Sequence, residues 1–407
     1  MKNFFLFCIF SFCFVFSAPP VNKKKKTVCL NMIVKDETKV IKRCLASVKP
    51  IIDYWVICDT GSTDGTQQMI KDFMKDIPGE LIEEPWQNFE YNRNHALTSA
   101  KGKGDYLLFI DADEELLYDE GFKLPALKED FYFITSDYAG SRYERTQLIN
   151  NHLNWRWEGV VHEIVRCEDA KSCAIMPNVR NFIRAHEGNR SADPLKYEKD
   201  AAILEKAMLK EPNNSRYQFY LAQSYRDCAQ YEKSIENYDK RIRMGGWDQE
   251  IFWSIYQIAK MQQILNKPSD TYMQNYYKAF AYRSTRAEPL YYIAQNLRNQ
   301  KKFHEAYAIT SLALRMPMPD DILFIENWIY EWGLLMEHSV SAFWIGNYSE
   351  ALNASITLLQ CNSLPEQVKG RAMENMKWIQ KEIEKLQTEQ QQSNQAKAQL
   401  NIQKKAS

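Results

Sequence analysis

Tyr106–Glu115 reads YLLFIDADEE. Five apolar residues, Tyr106 to Ile110, stop at Asp111-Ala112-Asp113, with Glu114 and Glu115 directly behind. A run of this length without polar alternation fits a strand covered on both faces, the kind found in a parallel sheet. Carboxylates at its carboxyl end fall where open α/β sheets hold their ligands. Two aspartates one residue apart offer hard oxygens to a divalent cation carrying a diphosphate. A strand running out into a solvated acidic turn gives the same pattern, so the flanking chain decides.

Upstream, strand and helix alternate. Thr27–Val34 (TVCLNMIV) reads as a first buried strand, and Val40, Ile41, Cys44, Leu45 and Val48 then recur at helical spacing up to Pro50. Tyr54–Cys58 is a second strand, ending in Asp59-Thr60-Gly61-Ser62-Thr63-Asp64-Gly65-Thr66, a turn rich in Gly and small polar residues. A helix from Thr66 carries Met69, Ile70, Phe73 and Met74. Leu81-Ile82 marks a short third strand, and Tyr91–Ala100 a helix before the strand that delivers Asp111. This order predicts a Rossmann-like, mostly parallel sheet.

The blocks MIVKDE, VICDTGSTDGT, YNRNHAL and KGKGDYLLFIDADEE, in this order, resemble those of family 2 glycosyltransferases with the GT-A fold, over residues 27–190. The resemblance implies a nucleotide-sugar donor, with UDP-sugars favoured, and Mn²⁺ or Mg²⁺ as cofactor. It implies that Asp59 accepts a hydrogen bond from the nucleobase, that Val34, Lys35 and Glu37 line the nucleotide pocket, and that Arg93 reaches the diphosphate. Asp111 would contact the ribose or donor sugar, and Asp113 would hold the metal. Asp59 and Asp64 also suit turns and helix caps. Glu114 and Glu115 read as capping or solvating the next segment.

A second constellation, Trp155-Arg156-Trp157-Glu158-Gly159-Val160-Val161-His162-Glu163, follows a strand carrying Arg142 and Arg145. Related sequences place such a block on the acceptor side. His162 is a candidate to complete the metal shell, since neutral imidazole is a competent ligand. Glu163 or Glu158 is the candidate general base, with Asp137 as a further choice. Trp155 and Trp157 would offer flat faces to a sugar ring. The acceptor is a glycan or a protein.

From residue 195 to 385 the periodicity is helical. Leu221-Ala222-x-x-Tyr225 with Ser234-x-x-x-Tyr238, and Ile293-Ala294-x-x-Leu297 with Ala306-x-x-x-Thr310, fit the helix pairs of a tetratricopeptide-like repeat. Trp253–Ala281 fills the interval, and a further unit spans Ser339–Leu358. Such stacked pairs form an all-α array that binds a protein partner or braces the catalytic domain. Residues 386–407 form a polar Gln- and Lys-rich tail, expected to be helical at first and then disordered.

Lys+Arg and Asp+Glu both number 52, a balance that does not point to nucleic acid as a partner. Residues 1–20 resemble a signal peptide or short membrane-targeting segment, and Lys23–Lys26 follow it. This predicts a membrane-associated or secretory protein and leaves its side of the membrane open. Nine cysteines show no framework spacing, with Cys167 and Cys173 alone close enough in sequence to bridge. Two rival readings are a nucleotidyltransferase on a similar sheet, opposed by the lack of an early Gly-rich triphosphate loop, and a non-catalytic scaffold with a vestigial sugar-nucleotide domain.

Overall fold

A computed structural model describes residues 25–406, so the leader at 1–20 lies outside the described residues. The first half alternates β1 (Val28–Val34), α1 (Ile41–Val48), β2 (Tyr54–Asp59), α2 (Thr66–Phe73), β3 (Gly79–Glu83), α3 (Phe89–Ser99) and β4 (Tyr106–Phe109). Successive residues of each central strand serve opposite faces. Leu30, Met32, Ile57 and Leu108 pack with Ile41, Leu45 and Ile70 on one side. Cys29, Val56, Leu107 and Phe109 pack with Leu97 and Ala100 on the other. Helices on both faces explain why these strands are apolar without alternation.

Six further strands follow: β5 (Glu114–Tyr118), β6 (Phe131–Tyr138), β7 (Ser141–Asn150), β8 (Arg156–Glu158), β9 (Ile164–Arg166) and β10 (Cys173–Ile183). The main sheet runs β3-β2-β1-β4-β7-β6-β10-β5, and β8 pairs with β9 separately. The first four strands are parallel, as the alternation predicts. Beyond them the sheet is mixed, because β7 runs antiparallel to both β4 and β6. The cause is the two-residue connection Ala139-Gly140, whose φ values of 49° and 80° make the tight reversal that only antiparallel neighbours accept. Strand order turns back between β1 and β4, so the ends of these two strands open a crevice.

The second half is helical: α4 (Lys196–Lys210), α5 (Ser215–Asp227), α6 (Tyr231–Arg243), α7 (Asp248–Ile264), α8 (Ser269–Tyr282), α9 (Glu288–Asn299), α10 (Phe303–Ala313), α11 (Leu334–Trp344), α12 (Tyr348–Leu359) and α13 (Glu366–Ala406). Each packs on the next. Small residues at the repeat positions let helices approach: the Ser234 hydroxyl donates to the Ala222 carbonyl at 2.9 Å, and that of Ser339 to Ala351 at 3.0 Å. The helix expected at the start of the Gln- and Lys-rich tail is the continuation of α13, which runs to Ala406. Its Gln, Lys, Ala and Leu are all good helix formers.

The two halves share a sheet edge. The connection between α10 and α11 returns to β7, where Arg142 and Ile325 pair antiparallel and the Glu144 amide donates to the Ile322 carbonyl at 2.9 Å. Phe324 inserts its ring among Tyr143, Phe219 and Trp253. Buried Arg286 ties this segment down, donating to Asp321 at 2.8 Å, to the Phe324 carbonyl at 2.7 Å and to Glu288 at 2.6 Å. The seven described cysteines are all free, Cys167 and Cys173 included. No helix among the described residues is long and apolar enough to cross a membrane.

Candidate active site

The crevice is built first by β1 and β2, whose ends pair Val34 with Asp59. The Val34 carbonyl accepts the Thr60 amide at 2.9 Å, which fixes where the following turn begins. Asp59 is buried, and its Oδ1 accepts the amides of Gly61 (3.0 Å) and Ser62 (2.8 Å) and the Gln67 side chain (3.1 Å). Gly61 permits this at φ 103°. Oδ2 of the same carboxylate has no partner. A buried acceptor left unpaired is costly, and an N–H of a ligand would satisfy it.

Across the crevice, the β1–α1 connection is pinned to the same turn. The Glu37 amide donates to Thr66 Oγ1 at 2.8 Å, and the Asp36 amide to Ser62 Oγ at 2.9 Å. Asp64 is a turn residue: although burial pushes its carboxyl up, bonds from Thr66 and Thr38 outweigh it and hold the pKa at about 2. Lys35 points to solvent. The Glu37 carboxylate accepts the Asn189 amide at 3.2 Å. Burial, opposed by that amide and reinforced by the charges of Asp113 and Asp111, raises its pKa from 4.5 to about 7.

At the end of β4, Asp111 Oδ1 accepts Arg93 at 2.8 Å, and Arg145 stands 3.8 Å from Oδ2. Burial works against ionisation of Asp111, but the two guanidiniums prevail and lower its pKa. Arg93 reaches in from α3, lies 4.9 Å above the Trp157 ring and pairs through Nε with Glu163. Asp113 is half-buried. Its Oδ2 accepts the Ser191 hydroxyl at 3.0 Å, and Gly188 lies so close that a Cβ there would meet Oδ2 at 2.5 Å. Burial and the charge of Asp111 raise the Asp113 pKa. This uncompensated negative charge on hard oxygen donors fits a divalent cation, although no cluster of three His, Cys, Asp or Glu side chains in ligating array occurs among the described residues.

Glu114 departs from its sequence reading. It is buried and bonds Arg145 bidentately at 2.7 and 2.6 Å, so it orients the guanidinium beside Asp111 instead of meeting solvent. Trp157 departs too. It packs edge-on against Phe109 in the core beneath α3, with Arg93 over its ring, and Trp155 packs half-buried against Phe131. Trp157 offers no face to a sugar.

The structure brings Glu163 to the centre and leaves Glu158 and Asp137 outside it. Glu158 pairs with Arg156 and Arg166 on the β8–β9 hairpin, and Asp137 with Arg142 and Arg180. Left-handed turns at Gly159 (φ 120°) and His162 (φ 52°) swing the chain back so that Glu163 meets Arg93. The His162 ring stacks on Tyr220 of α5 at 4.1 Å, and its carbonyl accepts Arg216 at 2.8 Å. Packing of protein around the ring, with Lys196, Arg216 and Arg190 nearby, lowers its pKa to about 3, although the residue keeps an open side to solvent. The contacts of Asp113 come instead from the segment Gly188–Ser191, whose sequence reads as part of the turn-rich break at Asn189–Pro194. Its only sequence signal is the small and polar Gly-Asn-Arg-Ser turn. Beside this centre, α3 and α4 border an open cleft of about 870 Å³ that includes Trp86, Phe89, Tyr91 and His95.

Residues 29–166 match the sequence model of Glycosyl transferase family 2. A TPR repeat-containing protein of Synechococcus elongatus is 33% identical over 147 residues, which are 34% of this chain and 35% of that protein. The SPbeta prophage-derived glycosyltransferase SunS of Bacillus subtilis is 25% identical over 233 residues, 53% of this chain and 54% of SunS. The chain therefore spans about a third to a half of the length of these relatives. Among solved structures, the TPR protein YrrB is similar over 42% of this chain and 83% of its own, at 14% identity and a TM-score of 0.31.

Proposed function

Because residues 29–166 match the sequence model of Glycosyl transferase family 2, we propose that this protein transfers a sugar, with inversion, from a UDP-sugar or similar donor to an acceptor hydroxyl on a glycan or protein. One observation carries the reading: Asp59 with its unpartnered Oδ2 from the end of β2, Asp111 and Asp113 following β4, and Arg93 from within α3, which bonds Asp111, gather at one crevice.

In this reading Asp59 Oδ2 accepts an N–H from the base edge, beside Val34, Lys35 and Glu37. Arg93 meets diphosphate oxygens with its planar fork, which suits phosphate. Asp111, kept ionised by Arg93 and Arg145, accepts hydroxyls of the ribose or the donor sugar. Asp113 would hold Mn²⁺ or Mg²⁺, which when bound supplies charge neutralisation for the departing diphosphate. The acceptor oxygen bonds to the anomeric carbon as the bond from that carbon to the diphosphate breaks. Glu163 receives the acceptor's proton. The aromatic cleft beside α3, with Trp86 and Tyr91 exposed, is the acceptor's approach.

The test is a titration with UDP-, GDP- and TDP-sugars, with and without Mn²⁺, following binding and slow donor hydrolysis. Metal-dependent binding of one donor, lost in Asp113→Ala, is expected. Full metal-dependent turnover in that variant would sink the metal assignment.

A further inference from the structure

The connection that aims Glu163 is anchored on the sheet domain at both ends. At its start the Gly159 amide donates to Glu90 of α3 at 3.2 Å, and at its end Glu163 pairs with Arg93. Between these anchors, Val161 and His162 dock on the helical array. Val161 is buried and shares an apolar cluster with Ala201 and Leu204 of α4 and with Tyr217 and Leu221 of α5. The His162 ring lies 4.1 Å from that of Tyr220, with the two planes 10° apart.

Arg216 of α5 completes this seat. Its Nη2 and Nε donate to the His162 carbonyl at 2.8 and 3.3 Å, and its guanidinium lies 4.7 Å over the Tyr220 ring. That carbonyl belongs to the peptide group joining His162 to Glu163. The group is planar, so a donor that fixes the direction of its oxygen also fixes the plane from which the Glu163 backbone departs. His162 sits at φ 52°, a conformation that residues other than glycine seldom adopt. A charge-assisted bond on its carbonyl and a stack on its ring oppose relaxation out of it.

We propose that Arg216 and Tyr220 are positioning residues for Glu163, so that the first helix pair of the array is part of the catalytic machinery. The proposal rests on the sugar-transfer reading, in which Glu163 takes the acceptor's proton, and adds the array to it. A general base acts only within hydrogen-bond reach of the proton it takes. Misplacement by about 1 Å can cost on the order of 100-fold in rate. The donor's base and phosphates are left to Asp59, Arg93 and Asp113, so the array acts on turnover and not on donor affinity.

The experiment measures hydrolysis of UDP-glucose, GDP-mannose and TDP-glucose by the full chain with Mn²⁺, water standing in for the acceptor, with kcat and KM taken separately. For the donor that is hydrolysed, Arg216→Met should lower kcat roughly 10- to 100-fold and leave KM within about twofold. Arg216→Lys, which returns one charged donor, should recover most of the loss. In a Glu163→Gln background Arg216→Met should cost nothing more, because no base is left to place. Tyr220→Leu serves as a second variant should Arg216→Met fold poorly, and should show the same dependence on Glu163. An unchanged kcat in the folded variants, or an equal loss in both backgrounds, would overturn the inference while leaving sugar transfer standing. Hydrolysis undiminished by Glu163→Gln alone would remove Glu163 as the base, and this inference with it. Hydrolysis of none of the three donors by the unaltered protein would instead remove the sugar-transfer reading on which both depend.

Discussion

Arg142 and Ile325 exchange two backbone hydrogen bonds of 2.7 Å each, so the helical array is bridged to the sheet that carries the candidate active site. The bonded edge belongs to β7, the strand that also carries Arg145 toward Asp111. A packed ring, Phe324, backs the same contact. The array is thus joined to the crevice by main-chain bonds, whatever else its surfaces bind.

This joint depends on Arg286. Its guanidinium and the Glu288 and Asp321 carboxylates are almost wholly removed from water. Arg286→Ala would leave the buried Glu288 carboxylate without a cation, while Asp321 keeps Arg283, and breaking such a buried pair costs about 3–5 kcal/mol. Urea unfolding followed by tryptophan fluorescence should show a loss of that size. A change near zero would mean that the other contacts of the 321–325 segment hold it without Arg286.

Glu37 supplies a pH signature. Its folded pKa is raised from 4.5 to about 7, so the native state binds a proton that the unfolded chain releases. Its contribution is therefore fully present below about pH 4.5 and is lost as pH rises through about 7. Relative to the unaltered protein, Glu37→Gln should gain stability across that window and level off above it. Thermal melts in chelator from pH 4.5 to 8 would read this. A difference that is flat with pH would refute the shift.

His162 separates packing from ligation. Its ring is stacked on Tyr220 and surrounded by Lys196, Arg216 and Arg190. His162→Ala is expected to cost about 1 kcal/mol of stability through the lost stack, and to leave Mn²⁺-dependent nucleotide binding unchanged. Loss of Mn²⁺ dependence with stability intact would assign the imidazole to the metal shell.

What was legible in the sequence was local. The buried run ending at Asp111 and the turn after Asp59 announce themselves because strand burial and turn chemistry are written in adjacent residues. Glu114 was not legible, since its partner Arg145 arrives on a strand whose place beside β4 depends on the reversal at Ala139-Gly140. Trp157 looked like a sugar platform because its neighbours in sequence are polar, while its neighbours in space are Phe109 and α3. Ser191 and Asn189 lie in a stretch that reads as a linker, yet they touch Asp113 and Glu37.

The shared edge of β7 also sets a schedule for synthesis. Ribosomes deliver about 5–20 residues per second, so after Arg142 emerges, on the order of ten seconds or more pass before Ile325 can reach it. During that interval the Arg142–Glu144 edge lacks its cover, and an uncovered edge is a template for pairing with another chain. The nascent protein is thus open to misassociation midway through translation, after the strands that carry Asp59 and Asp111 have been made.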